Sequence, residues 1–266
     1  MTEGRRDLES TLRSRREAGR KLLVPYLTGG LGDWTALVRA AAAAGADAVE
    51  VGIPFSDPVM DGPTIQEASV RALAAGATPV GIVSELAHIE VEVPLIVMLY
   101  YNLVFRSGHR RFARNLAEAG VAGAIVPDLP VDEIGDWARA ADDAGVATVL
   151  LAAPTTPDDR LSAICERSRG FVYGVGLLGV TGERQSLSSA AAVIAKRLKE
   201  ATDKPVLIGV GVSTPDQARE VTEVADGVVV GAAIVRRVLE GAGPEAVGDF
   251  VAELRDGLDR GRTVTS

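Results

Sequence analysis

One cysteine and two histidines in 266 residues remove whole areas of chemistry at the outset. A single thiol, Cys165, excludes an internal disulfide, and His88 and His109 form no cluster at metal-ligand spacing, so packing is the plainest role for all three. Lysine is scarce too, with only Lys21, Lys196, Lys199 and Lys204. No apolar stretch is both free of charge and long enough to span a bilayer. Positive charge is in deficit, 28 Lys plus Arg against 36 Asp plus Glu, which argues against a nucleic-acid or membrane-surface binder while leaving room for a local anion site. The N-terminus carries Arg5, Arg6, Arg13, Arg15, Arg16 and Arg20, but its acids and its want of an apolar core exclude a signal peptide. The expected location is cytoplasmic.

What the chain does have is 47% hydrophobic residues, enough for one large core and a single domain over residues 1–266. From Lys21 onward, short aliphatic and β-branched runs alternate with segments of helical period. Eight runs read as strands: Leu22 to Leu27, Ala48 to Gly52, Leu95 to Leu99, Gly123 to Val126, Ala147 to Leu151, Gly170 to Val175, Val206 to Val210 and Gly227 to Val230. Between them helices are expected over Trp34 to Ala44, Thr64 to Ala75, Pro79 to Ile89, His109 to Ala119, Val131 to Ala144, Asp158 to Ser168, Ala190 to Ala201 and Pro215 to Thr222, with a last one over Glu245 to Leu258. Gly45, Gly120 and Gly145 stand where helices end, at the position that favours glycine. Eight such units fit a closed (β/α)₈ TIM barrel better than an open sheet. An extra N-terminal helix, Leu8 to Gly19, would cap its bottom, and a short phosphate-binding helix would follow strand eight.

Reacting groups in such barrels come from the C-terminal ends of strands and the loops after them. Glu50 lies there, inside the apolar run Val49-Glu50-Val51-Gly52, where an ionised carboxylate is costly and a raised pKa is expected. A structural ion pair with a neighbouring Arg or Lys is the alternative, and the strand taken alone does not separate the two. The loop that follows, rich in Pro and Gly and carrying a second acid at Asp61, favours chemistry. Tyr100 and Asn102 fall after strand three, Asp128 after strand four and Tyr173 in strand six. Gly-bearing turns follow the last three strands: Gly179-Val180-Thr181-Gly182, Gly209-Val210-Gly211, and Gly231-Ala232-Ala233 opening a helix to Leu239. Glycines that admit backbone N–H groups, with an uncapped helix start, suit a phosphate. No lysine and no histidine sits at a strand's C-terminal end, which disfavours imine and metal-assisted aldol chemistry and leaves proton transfer by carboxylates.

The run Glu50-Val51-Gly52-Ile53-Pro54-Phe55-Ser56-Asp57-Pro58, followed by Asp61-Gly62-Pro63-Thr64-Ile65-Gln66, resembles the signature of the tryptophan synthase α-subunit family. Tyr100 with Asn102-Leu103, Asp128-Leu129-Pro130, Gly179 to Gly182 and Gly209-Val210-Gly211 extend the likeness over nearly the whole chain. The resemblance implies retro-aldol cleavage of indole-3-glycerol phosphate to indole and glyceraldehyde 3-phosphate, with no cofactor in this subunit and pyridoxal phosphate only in a β partner. It makes Glu50 the general acid-base, Asp61 the group that meets the indole N–H, and Tyr173 a further active-site residue. It puts Thr181 on a mobile loop, and Gly182, Gly211, Gly231 and Ala232 at the phosphate. Tyr26, Met98, Tyr100, Ile125 and Val210 would line the indole pocket, although barrel core is the plainer role for Tyr26, Met98, Ile125 and Val210. An α₂β₂ assembly is implied, touching β through Pro54, Asp57, Pro58 and Pro130.

Four departures stand out. Ala232 replaces a common serine, Val210 a commonly aromatic wall, and Val59-Met60 a common Leu-Ala pair, while Gly174 to Leu178 lacks the usual polar residues. They motivate a stand-alone indole-3-glycerol-phosphate lyase as an alternative. A non-catalytic subunit that only activates β is a third reading.

Overall fold

The computed structural model describes residues 7–176 and 185–260, leaving out the side chains of 185–189. The eight strands are β1 (Leu22–Thr28), β2 (Val49–Gly52), β3 (Leu95–Met98), β4 (Val121–Ile125), β5 (Ala147–Ala152), β6 (Val172–Val175), β7 (Val206–Gly209) and β8 (Gly227–Val230), and they close in sequence order into a parallel barrel. The helices are α1 (Leu8–Glu17), α2 (Trp34–Ala43), α3 (Pro63–Ala74), α4 (Pro79–Leu86), α5 (Tyr101–Ser107), α6 (His109–Glu118), α7 (Gly135–Ala144), α8 (Asp158–Arg167), α9 (Gln185–Ala201), α10 (Pro215–Thr222), α11 (Ala232–Leu239) and α12 (Pro244–Asp259).

Strand alternation sorts the core into two shells. Leu22, Val24, Ala48, Ile96, Ala122, Ile125, Val149, Phe171, Leu207 and Val229 form one cluster inside the barrel, and Leu8 and Leu12 of α1 join it from below. The intervening residues, among them Leu23, Val49, Val51, Val97 and Val228, pack outward against the helices. The period places Glu50 and Gly52 inward, between Ala48 and the open end of the barrel. Leu8 is seated tightly: a Cβ on Gly123 or Gly170 would come within 2.7 or 2.6 Å of its Cδ2. The expected bottom cap is therefore a plug, and two glycines make its socket.

Around that plug two buried acids are fully engaged. Asp47 Oδ1 accepts from Arg15 Nη1 at 2.9 Å and Arg20 Nε at 2.7 Å, and its Oδ2 accepts from the Leu23 N–H at 2.8 Å and Arg255 Nη1 at 3.2 Å. Asp226 accepts from Lys199 Nζ at 2.8 Å and from the Val206 N–H at 2.8 Å. Buried carboxylates are tolerated when every lone pair is matched in this way. Both sit at strand entrances, the end that serves stability.

Helix α9 starts at Gln185 rather than Ala190, and two further elements differ from expectation for a visible reason. The segment after strand three is helical, not a loop: α5 begins directly after Tyr100. Its aromatic and β-branched residues are weak helix formers, and its N-terminal N–H is met by Asp128, 27 residues on, so no local signal marks it. Helix α7 starts at Gly135 rather than Val131, because residues 131–134 are turns.

Candidate active site

Glu50 is 1% exposed, and its Oε2 has no hydrogen-bond partner among the described residues. It pairs in register with Tyr26 of β1 and Ile96 of β3, so the strands on either side bring it no cation. Among the described residues the ion pair falls elsewhere: Asp47, three residues earlier, takes Arg15, Arg20 and Arg255, and Glu50 pairs with no cation. Burial, reinforced by the charge of Asp61, pushes its carboxyl up from 4.5 to about 8. A carboxyl with that value holds a proton near neutral pH and can both give and take one.

Asp61 lies at the end of the loop from Ile53 to Gly62. The loop holds itself by short bonds, the Asp61 N–H to the Pro58 carbonyl at 3.0 Å and the Val59 N–H to the Asp57 carbonyl at 2.9 Å. Gln66 of α3 ties it down, its Nε2 donating to the Asp61 carbonyl at 2.8 Å. Tyr100 clamps it from the other side. Its ring stacks on Phe55 with centroids 5.0 Å apart, and its hydroxyl accepts from the Met60 N–H at 2.9 Å. Partial burial pushes Asp61 up from 3.8 to about 6, with hydrogen bonding from Tyr100 opposing the shift. Two carboxyls of different environment thus sit within electrostatic reach, one protonated and one ionised between those values.

Three phenols complete the group. Tyr26 is buried and Tyr173 half-buried, both are held above the ordinary value first by desolvation, and both feel Asp61 and Glu50. Each lies over a strand-end glycine. A Cβ on Gly52 would overlap the Tyr26 hydroxyl, and one on Gly209 would meet the Tyr173 hydroxyl at 2.5 Å. These glycines give tyrosines of neighbouring strands their room. Glu50, Asp61, Tyr26, Tyr100 and Tyr173 therefore come together from five separate segments of the chain.

The remaining expected residues take different places. Met98 packs with both the interior cluster and the Tyr26 cluster, which also holds Ile65, Ala68 and Val235. Ile125 is fully buried in the interior cluster. Val210 packs in the outer cluster, and Gly176 is small because Val210 stands against it. Gly231 forms the N-cap of α11 with no side-chain bond, so the first N–H groups from Ala232 on face the strand-eight end without a cap. Gly211 adopts a positive φ of 74° that a side chain would disfavour. Thr181 and Gly182 lie outside the described residues.

Sequence reasoning did not find Phe55, the reason for Gly52, or the bond between Asp128 Oδ1 and the Tyr101 N–H at 2.9 Å. Each depends on a contact between distant segments. Beyond the carboxyls, an apolar surface is presented on the same side: Val59 is 79%, Met60 57% and Phe105 66% exposed. Among the described residues no helix is long and apolar enough to cross a membrane, and no three His, Cys, Asp or Glu side chains gather as a metal site.

Residues 12–256 match the family described as tryptophan synthase alpha chain. A tryptophan synthase alpha chain from Streptomyces coelicolor is 44% identical over 260 residues, covering 94% of this chain and 96% of the relative. One from Methanosarcina mazei is 45% identical over 224 residues, covering 84% and 82%. Among solved structures, tryptophan synthase from Mycobacterium tuberculosis superposes with a TM-score of 0.87 at 38% identity, over 96% of this chain and 99% of that one. The alpha subunit from Legionella pneumophila superposes with a TM-score of 0.86 at 32% identity, over 97% and 100%. The closed barrel, the paired carboxyls at its mouth and these matches agree: the chain belongs to the tryptophan synthase alpha chain family.

Proposed function

We infer that this chain cleaves indole-3-glycerol phosphate to indole and glyceraldehyde 3-phosphate, the carbon–carbon lyase step of tryptophan biosynthesis. The observation that carries the assignment of roles is Glu50, a buried carboxyl without a partner, beside the more exposed Asp61. Protonated Glu50 gives its proton to indole C3. The carbon–carbon bond then breaks toward the ring, and Glu50 takes the proton of the glycerol hydroxyl as that carbon becomes the aldehyde, which restores the acid. Ionised Asp61 accepts from the indole N–H and stabilises the positive charge that C3 protonation puts on the ring. Tyr173 borders the reacting carbon. Tyr26, Met98, Tyr100, Ile125 and Val210 surround the indole, and Gly182, Gly211, Gly231 and Ala232 receive the phosphate.

The whole chain, residues 1–266, works as one domain in the cytoplasm. A β subunit receives the indole in an α₂β₂ assembly and carries the pyridoxal phosphate. Pro54, Asp57, Pro58 and Pro130 form the contact, and the exposed Val59 and Met60 extend it. Indole release by the purified chain, alone and with a β subunit, beside Glu50→Gln and Asp61→Asn, tests all of this. Slow release that β accelerates and Glu50→Gln abolishes is expected. Rapid release without β would mark a free lyase instead, and none in either setting would remove the assignment.

A further inference from the structure

The start of α5 is capped from a distance. Tyr100, its N-cap residue, has extended backbone (φ −83°, ψ 145°) and makes no side-chain bond to the open N–H groups of the helix. Asp128, in the loop after β4, fills that place: its Oδ1 accepts from the Tyr101 N–H at 2.9 Å, and its negative charge lies at the positive end of the helix. Holding the Tyr101 N–H holds the backbone of Tyr100 immediately before it. Tyr100 in turn lies flat on Phe55, accepts the Met60 N–H and stands beside the Asp61 carboxyl. Contacts therefore run from Asp128, through the first turn of α5 and Tyr100, to the backbone of Met60, the residue immediately before the acid assigned to the indole N–H.

We propose that Asp128 is a positioning residue for the cleavage: it fixes Tyr100, and Tyr100 holds Asp61 at the place where the indole N–H arrives. This rests on the role given to Asp61 above, and it gives Tyr100 a task besides lining the pocket. Asp128 touches no reacting atom. Among the described residues, the titratable groups facing Asp61 are Glu50 of β2, Tyr26 of β1, Tyr173 of β6 and Tyr100 itself. Tyr100 is the one whose hydroxyl favours the ionised form of Asp61. Once it is loosened, burial acts unopposed and Asp61 keeps its proton to higher pH.

The test is indole release from indole-3-glycerol phosphate by the chain alone, followed from about pH 5 to about pH 9. Tyr100→Phe is expected to move the acid limb upward and to lower kcat/KM by about tenfold, the scale of one lost hydrogen bond to a charged group. Asp128→Ala should move the limb the same way with a loss of about threefold, the scale of one helix cap. Asp128→Asn keeps an acceptor oxygen and should recover most of that loss. The double variant should be no worse than Tyr100→Phe, because both changes act on one line of contacts. Asp128 is exposed, so these variants keep the fold, and melting curves verify it. An unmoved acid limb in Asp128→Ala, or losses that simply multiply, would overturn the inference. Asp61→Asn separates the two levels: if it retains the parent's rate and acid limb, the role of Asp61 itself fails. If it loses both while Asp128→Ala changes nothing, only the present inference fails.

Discussion

The hydroxyl of Tyr26 occupies the space in which a side chain on Gly52 would begin. The two residues sit on adjacent strands at the mouth of the barrel, and the phenol reaches toward Glu50 and Asp61 only because β2 ends in glycine. Gly52→Ala should displace the ring, destabilise the protein by about 1–3 kcal/mol as an overpacked core does, and raise KM for indole-3-glycerol phosphate. Melting curves and steady-state kinetics check both parts. An unchanged KM would show that the Tyr26 phenol plays no part in binding.

The two acids set the pH dependence of the reaction. With the roles proposed above, cleavage starts from ionised Asp61 and protonated Glu50, so kcat/KM should be bell-shaped with limbs at about 6 and about 8. Asp61→Asn removes the acid limb. It also removes a charge that raises Glu50, so the alkaline limb of the residual activity should move to lower pH. A pH–rate profile of parent and variant is sufficient to decide.

Stability should respond to the same group with a definite sign. Folded Glu50 binds its proton more tightly than the unfolded chain does, so stability is full below about 4.5 and falls as pH rises through about 8. Asp61 adds a smaller effect of the same sign between 3.8 and about 6. Glu50→Gln lacks the main contribution. It should be more stable than the parent at alkaline pH by on the order of a few kcal/mol, seen as a higher melting temperature, and the two should converge in acid. Equal melting temperatures at all pH values would mean that Glu50 is not desolvated.

Ala232 opens α11 beneath an uncapped N-terminus, where the assigned phosphate would meet backbone N–H groups alone. Ala232→Ser adds a hydroxyl donor. It should lower KM about fivefold, the worth of one hydrogen bond, with kcat nearly unchanged. A kcat change without a KM change would place the phosphate elsewhere.

The barrel and its two carboxyls were legible in the sequence because their signals are local. Strand period, glycine at helix ends such as Gly45 and Gly120, and an acid inside an apolar run can each be seen in a short window. What was not legible depends on distant segments. Helix α5 hides its start because its capping carboxylate belongs to Asp128. Gly52 reads as an ordinary strand end until Tyr26 is seen over it. The absence of an ion pair at Glu50 among the described residues goes with Asp47, which collects Arg15, Arg20 and Arg255 just before the same strand. Sequence spacing alone cannot assign those arginines to one acid and not the other.

That arginine set also bears on how the molecule is made. Arg255 donates to the Lys21 carbonyl and to Asp47, groups that precede it by 234 and 208 positions. Strand β1 likewise waits for β8. On the ribosome, at about 5–20 residues per second, the first strands spend roughly ten to forty seconds without the partners that close them. Throughout that interval Asp47 lacks one of its cations and the edge of β1 is open to other chains. Arg255→Ala should therefore lower the yield of folded protein during synthesis at high temperature more than it lowers the activity of molecules that have already closed.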